Sequence, residues 1–325
     1  MSEFDYLVLK GTTHFKKDAL SENIEYSIID FYKWGFLNIG AYQNISRSPA
    51  TSGVYGGDRF RLSRVNDPRF TNGQIYQGFR NDWVYETGVS FSPAPTSVSI
   101  YVDGVLKPTN DSAYGHYIDY PGGRVVFNTA PASTKLIEAN FCHRTVSFFP
   151  ATTPWFRELM YDSYNISRSD FITAAASGGI WNPLSQNRLQ LPMVGVETVS
   201  IPKFKGLQLG GGQFAYIDVL YYIFAENDSD RKQIRDIIAS QNDRTVWTYD
   251  RGVMKESPNW PLVLDYRNTP VNGFLTYPSL VNESNGYRFR KIAFADTYAE
   301  DMELDNSFLY KSVVRTTCEI TMPNI

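Results

Sequence analysis

The pattern of apolar positions near the amino end predicts one amphipathic helix. Apolar side chains at Ile24, Ile28 and Tyr32 recur every fourth residue, which is close to the period of an α-helix and places them on one face. The spacing predicts a helix over about residues 21–34, and Gly35 and Gly40 are placed to end it.

Downstream of this helix the periodic pattern disappears. Residues 43–78 carry only scattered apolar side chains among Gly, Ser, Pro and Asn, so they cannot bury a core of their own. Such long irregular stretches are usually functional loops or segments that become ordered on a partner. The sequence therefore predicts an inter-subunit arm with Tyr55, Phe60 and Arg61 as contacts, because Tyr and Arg are typical interface anchors. A long loop folded back on its own domain is the alternative, which stays open.

A third pattern consists of short alternating runs that are separated by turn residues. Residues 97–102 and 105–107 flank Asp103-Gly104, which is the signature of a two-residue hairpin turn. Further runs of the same kind lie at 117–120, 124–127, 136–141 and 145–149. Five or six strands within about 65 residues predict a small antiparallel β-sandwich or barrel over residues 85–150.

The carboxyl-terminal half contains the longest apolar run. Residues 214–224 are β-branched and aromatic and predict a buried strand, residues 228–230 cap a following helix, and residues 245–249 form another strand. The helical connection permits a right-handed crossover if the two strands are parallel, but the sequence does not decide whether they are neighbours. Further strand-like runs lie at 193–201, 287–296 and 312–321.

Together these patterns predict an α+β, β-dominated fold. We expect an N-terminal helix with an extended, surface-lying arm over residues 1–84, an antiparallel β-module over 85–150 and an α+β domain over 151–325. More than one domain is expected because a chain of 325 residues exceeds what one hydrophobic core usually organises.

Composition narrows the classes of function. The chain has 31 Lys+Arg and 34 Asp+Glu, a net charge of −3, which argues against a dedicated nucleic-acid binder. An aromatic content of 15% favours a substantial core over disorder. Two cysteines exclude a disulfide scaffold, and we expect a reducing compartment. The acidic amino terminus and a longest apolar run of seven residues, 219–225, predict neither export nor a membrane span.

Local signatures of catalysis are weak throughout. Cys142 and His143 are adjacent in a predicted strand, so they point to opposite faces and do not form a nucleophile–base pair; a buried Cys beside an exposed His is the expected arrangement. The glycine-rich segment 206–212 lacks the Lys-Ser/Thr of a phosphate-binding loop. We assign no metal, cofactor or catalytic residue. Dispersed carboxylates among 49 aromatic residues keep a glycosidase open as an alternative.

Basic residues stand beside aromatic ones in two places, residues 59–64 and 287–291. Strand alternation predicts that Arg288 and Arg290 share a charged outer face while Phe289 lies on the other face. Such a surface suits either incidental contact with nucleic acid or contact between subunits.

The predicted β-module resembles a module that is frequent in virion structural proteins of tailed bacteriophages. The resemblance rests on a "VDG" hairpin within residues 98–107, on Tyr117-Ile-Asp-Tyr-Pro-Gly-Gly-Arg-Val-Val-Phe127, on the Ala130-Pro131 turn and on Ala139-Asn-Phe141. These segments cover about a fifth of the chain. Further segments are similar to parts of phage neck or tail-completion proteins, namely residues 19–26, 35–40, 216–227, 230–238 and 240–243.

This resemblance implies a structural role without an active site. The chain is expected to form a homo-oligomeric ring and to contact other phage neck, tail or connector proteins, with no membrane and only incidental nucleic acid. The expected location is the virion, at the head-to-tail neck or tail terminus, after assembly in the host cytoplasm. A baseplate or tail-associated component with carbohydrate-binding or depolymerase activity is the alternative.

Overall fold

A computed structural model describes residues 20–47, 59–67, 70–153, 156, 190–199, 202–206, 213–255, 276–302 and 309–322. Within these ranges the strands form two four-stranded sheets and one seven-stranded sheet, which are almost entirely antiparallel. Helices pack beside the sheets. The predicted α+β, β-dominated fold class is confirmed.

The amino-terminal helix, α1, spans Leu20–Asn38 and confirms the predicted helix. It runs past Gly35, the first of the two glycines that were predicted to end it. The chain turns at the second, Gly40, whose φ of +85° is readily adopted by glycine. The amide of Ala41 then donates to the carbonyl of Phe36 across 2.9 Å and closes the last turn.

Helix α1 lies on the face of the seven-stranded sheet. Ile24, Ile28 and Tyr32 are all buried in the hydrophobic core that the two elements share. The ring of Tyr32 stacks on Phe148 at a centroid distance of 5.6 Å and meets Tyr221 edge-on at 5.5 Å. The amino-terminal helix is therefore part of a core that is completed by strands from the far end of the chain.

The β-module consists of the two four-stranded sheets. Its first sheet has the order β1-β8-β4-β5 and its second β2-β3-β7-β6. The predicted Asp103-Gly104 turn joins β4 to β5, and positive φ angles of 48° and 80° identify it as a hairpin turn of the primed kind. The strands are β1 Tyr42–Ile45, β2 Ser63–Val65, β3 Ile75–Gln77, β4 Ser99–Val102, β5 Val105–Lys107, β6 His116–Asp119, β7 Arg124–Phe127 and β8 Ile137–Arg144.

Three of these strands come from the stretch that was predicted to be extended and surface-lying. β1 pairs with β8, β2 pairs with β3, and β3 lies between β2 and β7 with all three residues buried. For the described residues of this stretch the prediction of an irregular surface segment is wrong. The reason is that strands of three or four residues carry too few positions to show a period. The domain boundaries themselves stay a prediction.

The seven-stranded sheet has the order β13-β14-β15-β12-β10-β9. The remaining strand, β11, pairs with β12 along the same edge as β10, on the side away from β15. All neighbours are antiparallel except β9 and β10, which are parallel. The strands are β9 Ser147–Pro150, β10 Met193–Thr198, β11 Lys203–Gly206, β12 Gln213–Ala225, β13 Thr245–Tyr249, β14 Arg288–Asp301 and β15 Tyr310–Met322. Short helical segments occupy Arg251–Lys255, Tyr277–Leu280 and Glu283–Asn285.

The predicted strand–helix–strand of this half is present as β12, the helix α2 (Asp228–Ala239) and β13. Its cap is Asn227, whose side chain accepts from the Asp230 amide, so the cap lies one residue before the predicted position. β12 and β13 are not neighbours, since β15 and β14 lie between them. Three successive antiparallel pairings make β12 and β13 antiparallel, and a parallel crossover does not form.

Candidate assembly surface

The predicted interface residues of the arm lie in different settings. Tyr55 lies outside the described residues. Phe60 is half-buried against the core of the β-module, and its carbonyl accepts from the Ala139 amide at 2.8 Å. Arg61 is exposed, and its backbone forms an isolated antiparallel β-bridge with Glu138 of the same chain. The described part of the segment thus follows the alternative of a loop folded back on its own chain, while contact with another subunit stays a prediction.

A group of buried charges lies where the β-module meets the seven-stranded sheet. The Arg144 guanidinium at the end of β8 is 3.2 Å from the Asp82 carboxylate and also pairs with Glu86. The Ser147 hydroxyl donates to the same Asp82 carboxylate at 2.9 Å. Burial by itself lowers the pKa of Arg144, but the adjacent Glu86 and Asp82 charges raise it above its usual range. Arg144 therefore remains charged inside the protein.

A second buried pair lies next to this one. The Tyr249 hydroxyl of β13 donates to the Asp30 carboxylate of α1 at 2.6 Å. Burial raises the pKa of Asp30 and keeps the pKa of Tyr249 well above its usual value. We refer to Asp30, Asp82, Glu86, Arg144 and Tyr249 as the junction cluster. The cluster joins α1, the segment before β4, the end of β8 and β13.

The junction cluster suits a structural role better than a chemical one. The Arg144 side chain is 3% exposed and that of Glu86 is 5% exposed, so a substrate cannot reach the ion pair. The Arg144 charge is compensated by the adjacent Asp82 and Glu86 carboxylates, which is the condition under which buried ion pairs are tolerated. The arrangement links four parts of the chain, namely α1, the segment before β4, the end of β8 and β13.

Cys142 and His143 are adjacent in β8 and are both buried. The sequence had predicted an exposed His143; instead the ring of Phe79 packs edge-on against it at 5.3 Å. Burial lowers the pKa of His143 to about 4 and raises the pKa of Cys142 to about 12, so both side chains are neutral. Within the described ranges no group of three or more His, Cys, Asp and Glu is placed to hold a metal ion.

The second basic segment also differs from its prediction. Arg290 is buried on the same side of β14 as Ile292, whereas Phe289 is only half-buried. Burial lowers the pKa of Arg290. Arg288 lies over the Trp247 ring at 3.3 Å. Lys291 lies over the same ring, and a β-bulge interrupts the pairing of β13 with β14 at this point. The prediction that Arg288 and Arg290 share a charged outer face is therefore wrong: the face with Arg290 is covered, because α1 packs against that side of the sheet.

One cleft of about 250 Å³ lies between the carboxyl end of α1 and the helix α2. Its lining combines apolar residues such as Phe36, Ile39 and Ile237 with polar ones, and Asp230 is the one carboxylate among its described lining residues. Glycoside hydrolysis uses two carboxylates on opposite sides of the scissile bond. This cleft therefore does not supply the pair that the alternative function requires.

Among the described residues, four of the five most exposed large apolar side chains lie on strand segments that have a strand partner on one side only; the fifth, Ile39, lies in the turn after α1. Val105 and Leu106 of β5 are 58% and 57% exposed, Phe204 of β11 is 52% exposed, and Tyr298 of β14 is 65% exposed. Edge strands leave backbone N–H and C=O groups free to pair with another chain. These positions were not predicted, since the sequence shows alternation but does not show which strand lies at an edge.

The helices of the described residues include none that is long and apolar enough to cross a bilayer. No model of a known protein family matches the chain. A search of characterised proteins likewise finds no significant similarity.

Proposed function

We propose that this chain is a structural subunit of a tailed-phage particle. On this proposal it lies at the head-to-tail neck or the tail terminus and acts by forming a ring with further copies of itself. Its other partners are neighbouring neck, tail or connector proteins. The proposal starts from the resemblance of the hairpins around Asp103-Gly104 and residues 117–127 to a module of phage virion proteins.

The observation that carries the proposal is the position of the exposed apolar side chains. Val105 and Leu106 lie on β5 at the end of one sheet, while Phe204 and Tyr298 lie on opposite sides of another. In monomeric proteins, edge strands are usually protected from pairing with another chain, because they are short, carry charges or bulges, or are covered by a helix or loop. Large apolar side chains on several free edges favour a chain whose edges are covered by other subunits.

The near-neutral charge supports the same class of function. A net charge of −3 over 325 residues offers no strong field for nucleic acid. Contact between subunits does not require such a field, since the cores of interfaces are depleted of charge and enriched in aromatic residues. Any contact with nucleic acid is then incidental to ring assembly.

Particle localisation tests the proposal directly. Gold-labelled antibodies against the chain are expected to mark the neck or the tail end of the particles that contain it. Labelling confined to the baseplate, together with clearing of a polysaccharide lawn that disappears on carboxylate substitution, would instead support the carbohydrate-active alternative. Absence of the chain from purified particles would contradict the structural role altogether.

A further inference from the structure

Strand β11 forms one free edge of the seven-stranded sheet and is basic. It consists of Lys203–Gly206, and every residue in it is exposed. It pairs with β12 on the side away from β15. Within the described residues no strand pairs with its other side. We call this strand the basic edge.

The opposite side of the same sheet has a second free edge, which is acidic. β13 pairs with β14 only as far as Ala293, so residues 296–301 have a strand partner on one side only among the described residues. Asp296, Tyr298 and Glu300 are exposed there. No ion pair holds Asp296 or Glu300 within the part of the chain that the structure describes, whereas the nearby Arg315 pairs with Asp218 at 2.6 Å. We call residues 296–301 the acidic edge.

The two edges also match in the faces to which their side chains point. The core face of the seven-stranded sheet is the one that packs against α1, and the outer face is the opposite one. On the acidic edge, Ala299 packs against the hydrophobic core and so lies on the core face, while its neighbours Tyr298 and Glu300 lie on the outer face. On the basic edge, Lys205 lies over the outer-face ring of Tyr216 at 5.2 Å. Lys203 shares that face, and Phe204 lies on the core face.

Strand direction permits the two edges to pair. β11 is antiparallel to β12, and β12 runs parallel to β14 because β15 is antiparallel to both. β11 is therefore antiparallel to β14. If the sheet continues from one copy into a neighbour of the same orientation, the basic edge meets the acidic edge as an antiparallel pair.

We propose that the basic edge of one copy pairs with the acidic edge of a second copy and so joins the two sheets. Phe204 then lies opposite Ala299, Lys203 opposite Glu300, and Lys205 opposite Tyr298. The outer face gains one ion pair and one cation–π contact. The core face covers the exposed Phe204 ring. This pairing rests on the proposed ring assembly and names the surfaces that form it.

The charges also select against the competing symmetric pairings. If two basic edges paired about a twofold axis, Lys203 and Lys205 of one copy would face the same lysines of the other copy. If two acidic edges paired in this way, Asp296 and Glu300 of one copy would face the same carboxylates of the other. Like charges directly opposite each other destabilise a strand pair. The pairing of unlike edges is heterologous, and a heterologous contact generates a ring when its rotation closes.

The register implies a stagger between neighbouring copies. Phe204 is level with Ile320 of β15, and Ala299 is level with Val314 of the same strand. These two levels are six residues apart along β15 (320 − 314), or about 20 Å at the usual rise of a strand. Strands that close into a circular sheet are staggered and tilted in this way.

A charge exchange tests the pairing. The variant Lys203→Glu/Lys205→Glu and the variant Asp296→Lys/Glu300→Lys are each expected to lower the association constant of the ring about tenfold or more at low salt. A one-to-one mixture of the two variants is expected to form mixed assemblies, because the changed edges of the two variants carry opposite charges and match each other, as do their two unchanged edges. The readout is mass by light scattering after size exclusion. Lys232→Glu/Lys291→Glu, the same charge change at exposed positions away from both edges, is the control and should assemble like the unmodified chain.

The outcomes separate this pairing from the proposed function. If the unmodified chain forms a ring and the edge variants assemble as well as the control, the pairing is wrong and the ring uses other surfaces. If the unmodified chain is monomeric at every concentration, the proposed ring itself is contradicted, and the pairing with it. Loss in each edge variant with recovery in their mixture supports both.

A disulfide tests the register. Directly opposed Cα atoms in an antiparallel pair are about 4.5–5.5 Å apart, within the range that a disulfide spans. The chain with Phe204→Cys and Ala299→Cys is expected to form a ladder at multiples of 37.0 kDa on mild oxidation. The native Cys142 and Cys318 are fully buried and do not interfere. Phe204→Cys with Glu226→Cys, which is exposed elsewhere, is the control; an equal ladder in both would contradict the register.

Discussion

The junction cluster and the two free edges of the seven-stranded sheet are both charged, but they use their charges differently. In the junction cluster the Arg144 side chain is 3% exposed and has two carboxylate partners in its own chain. On the edges Tyr298 is 65% exposed and its neighbours Asp296 and Glu300 make no ion pair among the described residues. The charges of the junction cluster stabilise a single chain, whereas the charges on the edges are exposed and can pair with another chain.

This difference has a physical consequence. Salt hardly screens charges that are buried together, whereas it weakens attraction between exposed charges that are farther apart than a Debye length, which is about 3 Å at 1 M salt. The fold should therefore depend on the junction cluster at any ionic strength. The assembly should depend on salt.

The largest expected effect is the loss of the buried cation. Arg144→Met removes the partner of Asp82 and Glu86 and leaves two uncompensated carboxylates inside the protein. We expect a loss of about 3–5 kcal/mol in the free energy of unfolding, measured by urea titration. The control is Arg315→Met, which removes an arginine that also faces a carboxylate but is 57% exposed, and should cost about 1 kcal/mol or less. Equal losses would show that burial does not distinguish the two regions.

An intermediate effect is expected at a buried carboxyl group without a cation. Burial, followed by the Glu197 and Glu22 charges, raises the pKa of Glu25 on α1 from 4.5 to about 7, although the Thr198 amide lowers it in part. The folded state therefore binds this proton more tightly than the unfolded state. Its contribution to stability is complete below pH 4.5 and is lost as the pH rises to about 7.

The substitution Glu25→Gln keeps the neutral form at every pH. It should raise the free energy of unfolding by about 2 kcal/mol at pH 8, where the wild-type carboxyl group is charged, and by much less at pH 5. Glu226→Gln replaces an exposed carboxyl group and serves as the control, with little change at either pH. A gain for Glu25→Gln that is the same at both values would contradict this account of the carboxyl group.

The smallest effect is expected on the fold of the edge variants. Lys203→Glu/Lys205→Glu changes exposed side chains that make no ion pair within the described part of the chain. In about 1 M salt, which screens contacts between subunits, its free energy of unfolding should stay within about 0.5 kcal/mol of the unmodified chain. A loss above about 2 kcal/mol would mean that these lysines serve the fold and not the assembly.

The sequence predicted those elements whose signal is local. Helix α1 shows a clear apolar face, Asp103-Gly104 is a strong turn signal, and the run around residues 214–224 is long and β-branched. β3 was missed because its three residues carry no period. The antiparallel relation of β12 and β13 was not predictable, since it depends on two strands that come later in the chain.

The candidate assembly surface was harder to predict from the sequence than the fold. The alternating Lys203-Phe204-Lys205 is visible in the sequence, but its position at a free edge depends on which strands pair with β12. The burial of Arg290 was missed for the same reason, because alternation separates two faces without showing which one a helix covers. Local patterns give the chemistry of a strand, and tertiary pairing decides whether that chemistry is exposed.

The measurement that tests the central claim most directly is the mass of the chain in solution as a function of salt, followed together with its near-ultraviolet circular dichroism. We expect a multiple of 37.0 kDa at about 0.05 M salt and a shift toward 37.0 kDa at about 1 M, with the dichroism unchanged. That result would show that the exposed charges assemble the subunits while the buried charges maintain the fold. A mass of 37.0 kDa at every salt concentration, or an assembly that does not respond to salt, would contradict the account.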